Sequence, residues 1–195
     1  MPNPENKKIP RSVQLLGWVS YFTDVSSEMI FSLLPAFLTL SLGAGSAALG
    51  IIEGISETTS SLLKIFSGNL SDRFEKKKPF VIAGYSISTT MRASIGFATS
   101  WTTILLLRFG DRVGKGIRTA PRDALIALEV DTHSRGNAYG FHRMMDHAGA
   151  VTGSLISALL IWLMPNQYRK IFLFAAIPGF IACAIALCKI GRAHV

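Results

Sequence analysis

The sequence predicts an all-α integral membrane protein built from six spanning helices. Three observations carry that expectation. Hydrophobic residues make up 49% of the 195 and charged residues only 16%, where a soluble domain carries about 25% charged. Mean hydropathy is +0.38. Long apolar runs recur with short polar connectors between them, and at about 20 residues per crossing six of them fit the chain. The 17 glycines and 12 phenylalanines suit a membrane protein, since glycine is commoner in spanning helices than in soluble ones. A disulfide scaffold is excluded, because Cys183 and Cys188 are the only cysteines, both in one apolar run. They read as inert helix-face residues.

Taken in order, residues 1–11 are polar, contain Pro2, Pro4 and Pro10, and form a short lead expected in the cytoplasm. The first span covers residues 13–42, interrupted by Asp24 and Glu28, and is too long and too acidic for a signal-peptide core. The second, residues 47–70, carries Glu53, Glu57 and Lys64, and the polar run from Ser71 to Pro79 closes it. The third, residues 80–99, contains Arg92. The fourth begins at Trp101, a residue suited to a membrane interface, and grows more charged from Arg108 to Asp123. After a polar stretch over residues 129–136, the fifth span runs over residues 139–163 and the sixth over 171–187.

Alternating spans allow the loop charges to be assigned to sides. Lys7, Lys8, Arg11, Arg73, Lys76, Lys77, Lys78, Arg118, Arg122 and Arg135 fall on the side of the N-terminus, against Arg169 and Lys170 opposite. The positive-inside rule then places the N-terminus in the cytoplasm, with the plasma (inner) membrane as the location. The same asymmetry accounts for much of the net charge of +8 without invoking nucleic acid. The segment Lys189-Ile190-Gly191-Arg192-Ala193-His194-Val195 resembles the in-frame translation of a widely used short-read sequencing adapter. Residues 189–195 are therefore set aside as a non-native tail, residues 12–188 are taken as the bundle, and the native protein is expected to continue past residue 188.

A charged side chain at the bilayer centre costs about 2.5 kcal/mol or more, so the charges inside these spans should face a bundle interior or water. Their spacing agrees. Tyr21, Asp24 and Glu28 recur at helical intervals, as do Glu53, Glu57, Ser60 and Lys64. In the fourth span Arg108, Asp111, Arg112, Lys115, Arg118 and Arg122 follow at steps of 3, 1, 3, 3 and 4, sweeping about 120° of one face. Asp24, Glu28, Glu53 and Glu57 are the expected partners of that stripe. Two readings are open, fixed ion pairs that glue helices and a polar translocation path. In the fifth span His142, Asp146, Gly149 and Gly153 share a face, and the glycine pair permits close helix approach. Arg92, a lone base, is open between pathway and pairing. There is no HExxH, no GxSxG, no GxxxxGK followed by Ser or Thr, and no zinc-spaced cysteine pair, so no enzyme, cofactor or metal site is expected.

The run Gly68-Asn69-Leu70-Ser71-Asp72-Arg73-Phe74-Glu75-Lys76-Lys77-Lys78-Pro79 closely resembles the loop between helices two and three of the major facilitator superfamily, G-x-L-A/S-D-R-x-G-R/K-R/K, with Glu75 where glycine is usual. Arg108-Phe109-Gly110-Asp111-Arg112-Val113-Gly114-Lys115-Gly116 is similar to that family's fourth-helix pattern R-F-x-Q-G-x-G-x-G, with Asp111 and Arg112 replacing Gln and Gly. Gly149-x-x-x-Gly153 precedes Ser154, where the antiporter pattern has proline. Residues 22–29 and 116–127 look like a prokaryotic branch with largely unassigned substrates.

The resemblance implies two three-helix repeats forming the N-terminal half of a twelve-helix transporter, whose C-terminal six-helix half closes the central cavity. It implies a substrate or proton pathway through Asp24, Glu28, Arg108, Asp111 and Arg112 on the first and fourth helices, to which the intramembrane charges Arg92 and Asp146 are added from their positions in the third and fifth spans. It also implies gating or inter-half contacts at Glu53, Glu57, Gly68, Asp72 and Arg73. The expected function is secondary active transport of a small solute by alternating access, coupled to protons through Asp24, Glu28 or Asp146. The basic face of the fourth span suits an anionic or zwitterionic solute, and the acids of the first two suit a cation. The alternatives are a non-transporting membrane scaffold or sensor, and a six-helix transporter that works as a homodimer.

Overall fold

The computed structural model describes residues 9–73 and 77–190, with side chains described for all of these except 68–73, 189 and 190. The described residues are helical, without strands, and the helices are α1 (Arg11–Phe31), α2 (Leu34–Ala36), α3 (Ser46–Arg73), α4 (Lys78–Ile95), α5 (Trp101–Leu128), α6 (Arg135–Leu163) and α7 (Tyr168–Ile185). The first expected span is therefore broken. Pro35 has no N–H to offer and its ring collides with the carbonyl four residues back, which is that of Phe31. The helix ends there, restarts as α2, and finishes in wide π-type turns over Phe37–Ser41. Gly43, at φ 62°, takes the left-handed conformation that turns the chain into α3. Elsewhere the ends follow local chemistry. Ser100 caps α5 by accepting from the Thr103 amide at 3.2 Å, and α4 opens with proline in its first turn.

The stretches Thr132–Leu163 and Tyr168–Cys188 are long and apolar enough to cross a membrane by length and composition. The other long helices carry more ionisable residues, and the fold buries Arg92, Arg108, Asp111, Arg112 and Arg118 among them. Helix α5 runs to Leu128, so Arg118 and Arg122, which the charge count above includes among the loop cations, lie within it, Arg118 only 5% exposed.

The packing has internal two-fold logic. Helix α1 lies against α6 and α7, α5 lies against α3 and α4, and α4 meets α7. Exchanging α1 with α5, α3 with α6 and α4 with α7 reproduces the same set of neighbours, which is the arrangement of two three-helix repeats. Close approach rests on glycine where α1 crosses α6. A Cβ on Gly149 would sit 2.5 Å from the Tyr21 carbonyl oxygen, and one on Gly153 would sit 2.6 Å from that of Val25.

The core is layered along the helix axes. Val13, Leu16, Val19, Val81, Tyr85, Ile126, Ala138, Ala182 and Ala186 form an apolar cluster at the end nearest the N-terminus. A second cluster at the other end gathers Met29, Ile30, Leu34, Phe37, Ile95, Ile104, Phe172 and their neighbours. Between them lie the buried polar residues Ser20, Thr23, Ser88, Thr89, Arg92, Arg108, Asp111, Arg112, Arg118 and His142.

Candidate functional site

The polar layer contains a cavity of about 230 Å³ lined by Asp24, Ser27, Glu28 and Phe31 of α1, Glu57 of α3, Arg92 of α4, and Asp111, Arg112, Lys115 and Arg118 of α5. Four carboxylates and four cationic side chains therefore share one small space. Its walls differ in sign. The α1 wall supplies Asp24 and Glu28, and the α5 wall supplies three of the four cations. That division follows from the sequence. The 3-1-3-3-4 spacing keeps the α5 charges within one face, and the four-residue step from Asp24 to Glu28 does the same for α1.

Arg92 joins three helices. Its Nη1 donates to the Thr23 carbonyl of α1 at 2.7 Å, its Nε donates to the Ser88 carbonyl at 3.1 Å and lies 3.2 Å from Asp111 Oδ1 of α5, and the residue is 1% exposed. Arg118 Nη1 donates to Ser88 Oγ at 2.9 Å, with its guanidinium 4.2 Å from the Tyr85 ring centre. Arg112 Nη2 lies 3.5 Å from Glu57 Oε1, a long pair with the glutamate side chain 63% exposed. Among the described residues no carboxylate pairs with Lys115 or Arg118, and no cation pairs with Asp24 or Glu28 within 4.0 Å.

Of the other candidates, Arg108, Glu53 and Asp146 fall outside the cavity lining. Arg108 Nη2 donates to both Glu53 oxygens at 2.6 and 2.7 Å and its guanidinium stacks 3.6 Å from the Phe31 ring centre, tying α5 to α3. Asp146 Oδ2 lies 3.4 Å from His142 Nδ1, and His142 Nε2 lies 2.9 Å from Ser20 Oγ, which is 3.3 Å from the Tyr85 hydroxyl. A polar chain thus crosses from α6 through α1 to α4. Glu53 and Glu57, expected at inter-half contacts, both engage α5 arginines. Gly68, Asp72 and Arg73 lie outside the residues whose side chains are described.

The sequence reading passes over four cavity residues as site candidates. Lys115 and Arg118 carried a signal, because they continue the charged stripe. Ser27 and Phe31 carried none, since a serine and a phenylalanine on an apolar helix look like packing. The partners Tyr85 and Ser88 were equally silent, 65 residues from Ser20 and 30 from Arg118 along the chain.

Comparison with known proteins agrees with this architecture. The Major Facilitator Superfamily model matches residues 16–194. The chain belongs to the major facilitator superfamily. An uncharacterised MFS-type transporter of Methanocaldococcus jannaschii is 38% identical over 179 residues, 92% of this chain and 44% of that protein. A multidrug resistance protein MdtH of Salmonella arizonae is 29% identical over 157 residues, 80% of this chain and 38% of its own length. The solved structure of the peptide transporter POT in complex with sulfate superposes with a TM-score of 0.81 at 15% identity, covering 96% of this chain and 39% of that one. That likeness concerns the fold. The chain spans less than half the length of these relatives. As a major facilitator chain it is an integral membrane protein, and its six long helices, with α1 and α2 counted as one crossing, correspond to half of the family's transporter fold.

Proposed function

We propose that this chain is the N-terminal half of a secondary active transporter in the plasma membrane that moves a small solute by alternating access. The observation that carries the reading is the cavity between α1 and α5, where unpaired charges of both signs sit between two apolar layers. A scaffold gains nothing from such charges, since buried ionic groups are costly unless paired. Coverage of 44% of the archaeal relative and exposed Ile51, Ile55, Leu62, Ile65 and Phe66 along α3 are in keeping with a second six-helix half. The N-terminus is assigned to the cytoplasm. With Arg118 and Arg122 placed inside α5, the remaining loop cations still favour that side.

The proton gradient is the proposed energy source, with Asp146 as the carrier. Its Oδ1 is buried without a hydrogen-bond partner, and its Oδ2 faces His142. This separates the proton site from the cavity and leaves Asp24 and Glu28 to face the solute.

The test uses the full-length protein, recovered from the gene that encodes this chain and reconstituted in liposomes. In a background without other cysteines, Ser27→Cys is exposed to a membrane-impermeant maleimide from either face. Labelling from both faces, with the balance shifted by a pH gradient, is expected. Labelling from one face under every gradient overturns alternating access.

A further inference from the structure

We infer that the solute is a zwitterion, lying across the cavity with its ammonium group toward α1 and its carboxylate toward α5. This rests on the transport reading above and names the substrate class of that site. The α5 and α4 side of the cavity holds donors with nothing to donate to. Arg92 Nη2, Arg112 Nε and Arg118 Nε are buried without hydrogen-bond partners, on residues 1%, 8% and 5% exposed that all line the space. Buried guanidinium donors left unpaired are costly and rare, and a carboxylate, with two oxygens and several lone pairs, is the group they match. Lys115, also on this wall, has no carboxylate partner among the described residues.

The opposite wall makes the complementary demand. Asp24 and Glu28 lie one turn apart on α1, both line the cavity, and neither is paired with a cation. An ammonium group, with three donors and no acceptor, is what two carboxylates at that spacing hold. A simple anion satisfies the α5 wall and faces the α1 carboxylates with like charge. A simple cation does the reverse, and a neutral solute satisfies neither. The lining carries four acids and four bases, so a solute of zero net charge with separated ends also leaves the balance of this low-dielectric layer unchanged. The volume, about 230 Å³, suits an amino acid or a short peptide end.

The test is thermal unfolding of the detergent-purified full-length protein with the proteinogenic amino acids and the dipeptide Ala-Ala, each beside its N-acetyl derivative and its carboxamide at equal concentration. At least one zwitterion is expected to raise the midpoint in a concentration-dependent way, with at least tenfold weaker binding once either end is blocked. Asp24→Asn with Glu28→Gln is expected to abolish the preference for a free amine, and Lys115→Gln to weaken the preference for a free carboxylate while Arg92, Arg112 and Arg118 remain on that wall. A singly charged derivative that binds as well as its parent, or the absence of any shift with every zwitterion, overturns the inference. The blocked-ligand comparison uses wild-type protein, so it decides the matter even where a variant fails to fold. Two-sided labelling at Ser27→Cys together with no zwitterion binding leaves transport standing and removes the substrate class. One-sided labelling removes both.

Discussion

Arg92 shows how a single side chain organises the middle of this bundle. Its guanidinium reaches the Thr23 carbonyl, the Ser88 carbonyl and the Asp111 carboxylate, so α1, α4 and α5 share one cation. Removing one partner of a buried pair leaves the other charge uncompensated, at a cost of about 3–5 kcal/mol. Arg92→Met is therefore expected to destabilise the chain by that amount in a detergent-based unfolding titration. Arg92→Met combined with Asp111→Leu is expected to recover more than half of the loss, because the orphaned carboxylate goes with it. No recovery in the double variant means that the contact to Thr23, rather than the ion pair, carries the stability. The sequence left Arg92 open between pathway and pairing. The structure has it pair with Asp111 and line the cavity as well, a combination invisible from a lone arginine in an apolar run.

Between elements, the contacts divide into close backbone crossings and charged ties. At the α1–α6 crossing a Cβ on Gly149 meets backbone, which cannot rotate away as a side chain would. Gly149→Ala is expected to lose the folded chain or lower its unfolding midpoint by many degrees. Gly136→Ala, where nothing lies within 4 Å in the first turn of α6, is expected to be neutral or to stabilise by up to about 1 kcal/mol through helix propensity. Equal effects at the two positions remove the packing argument. The α3–α5 tie is Arg108 on Glu53, one partner buried and the other half-exposed. Its coupling should lie between that of surface and buried pairs, roughly 1–2 kcal/mol. A double-mutant cycle with Arg108→Met and Glu53→Gln measures it, and a value near zero shows that the stacking on Phe31, rather than the charge, holds Arg108.

At the scale of the molecule, apolar layers lie on both sides of a charged middle. The proposed coupling site makes a specific prediction. Asp146→Asn is expected to lower gradient-driven accumulation of solute at least tenfold in proteoliposomes, while solute exchange without a gradient persists. Retained accumulation with an unchanged pH dependence removes Asp146 as the proton carrier and returns the role to Asp24 or Glu28. His142→Gln, which keeps a polar group beside Ser20 and Asp146, is expected to shift the pH at which accumulation is half-maximal without abolishing exchange.

Much of this organisation was legible in the residues. Hydropathy and loop spacing marked the six spans, since a helix that crosses lipid must be long and apolar, with its backbone bonds made internally. The step pattern of Arg108 to Arg122 marked α5 as the charged helix, because the 3.6-residue period is a local property of the chain. The break at Phe31 is written in Pro35, inside the single span that hydropathy outlines over residues 13–42. Pairing was different. That Arg108 takes Glu53, that Arg92 takes Asp111, and that Lys115, Arg118, Asp24 and Glu28 are left to face one cavity depends on which helix faces meet. Those meetings are set by contacts such as Gly149 on Tyr21 and Gly153 on Val25, over a hundred residues apart in sequence. The sequence by itself determined which helices carry charge and on which face. Only the tertiary structure decided which charges cancel and which stay free, because ion pairing acts over a few ångströms between residues that the chain holds far apart.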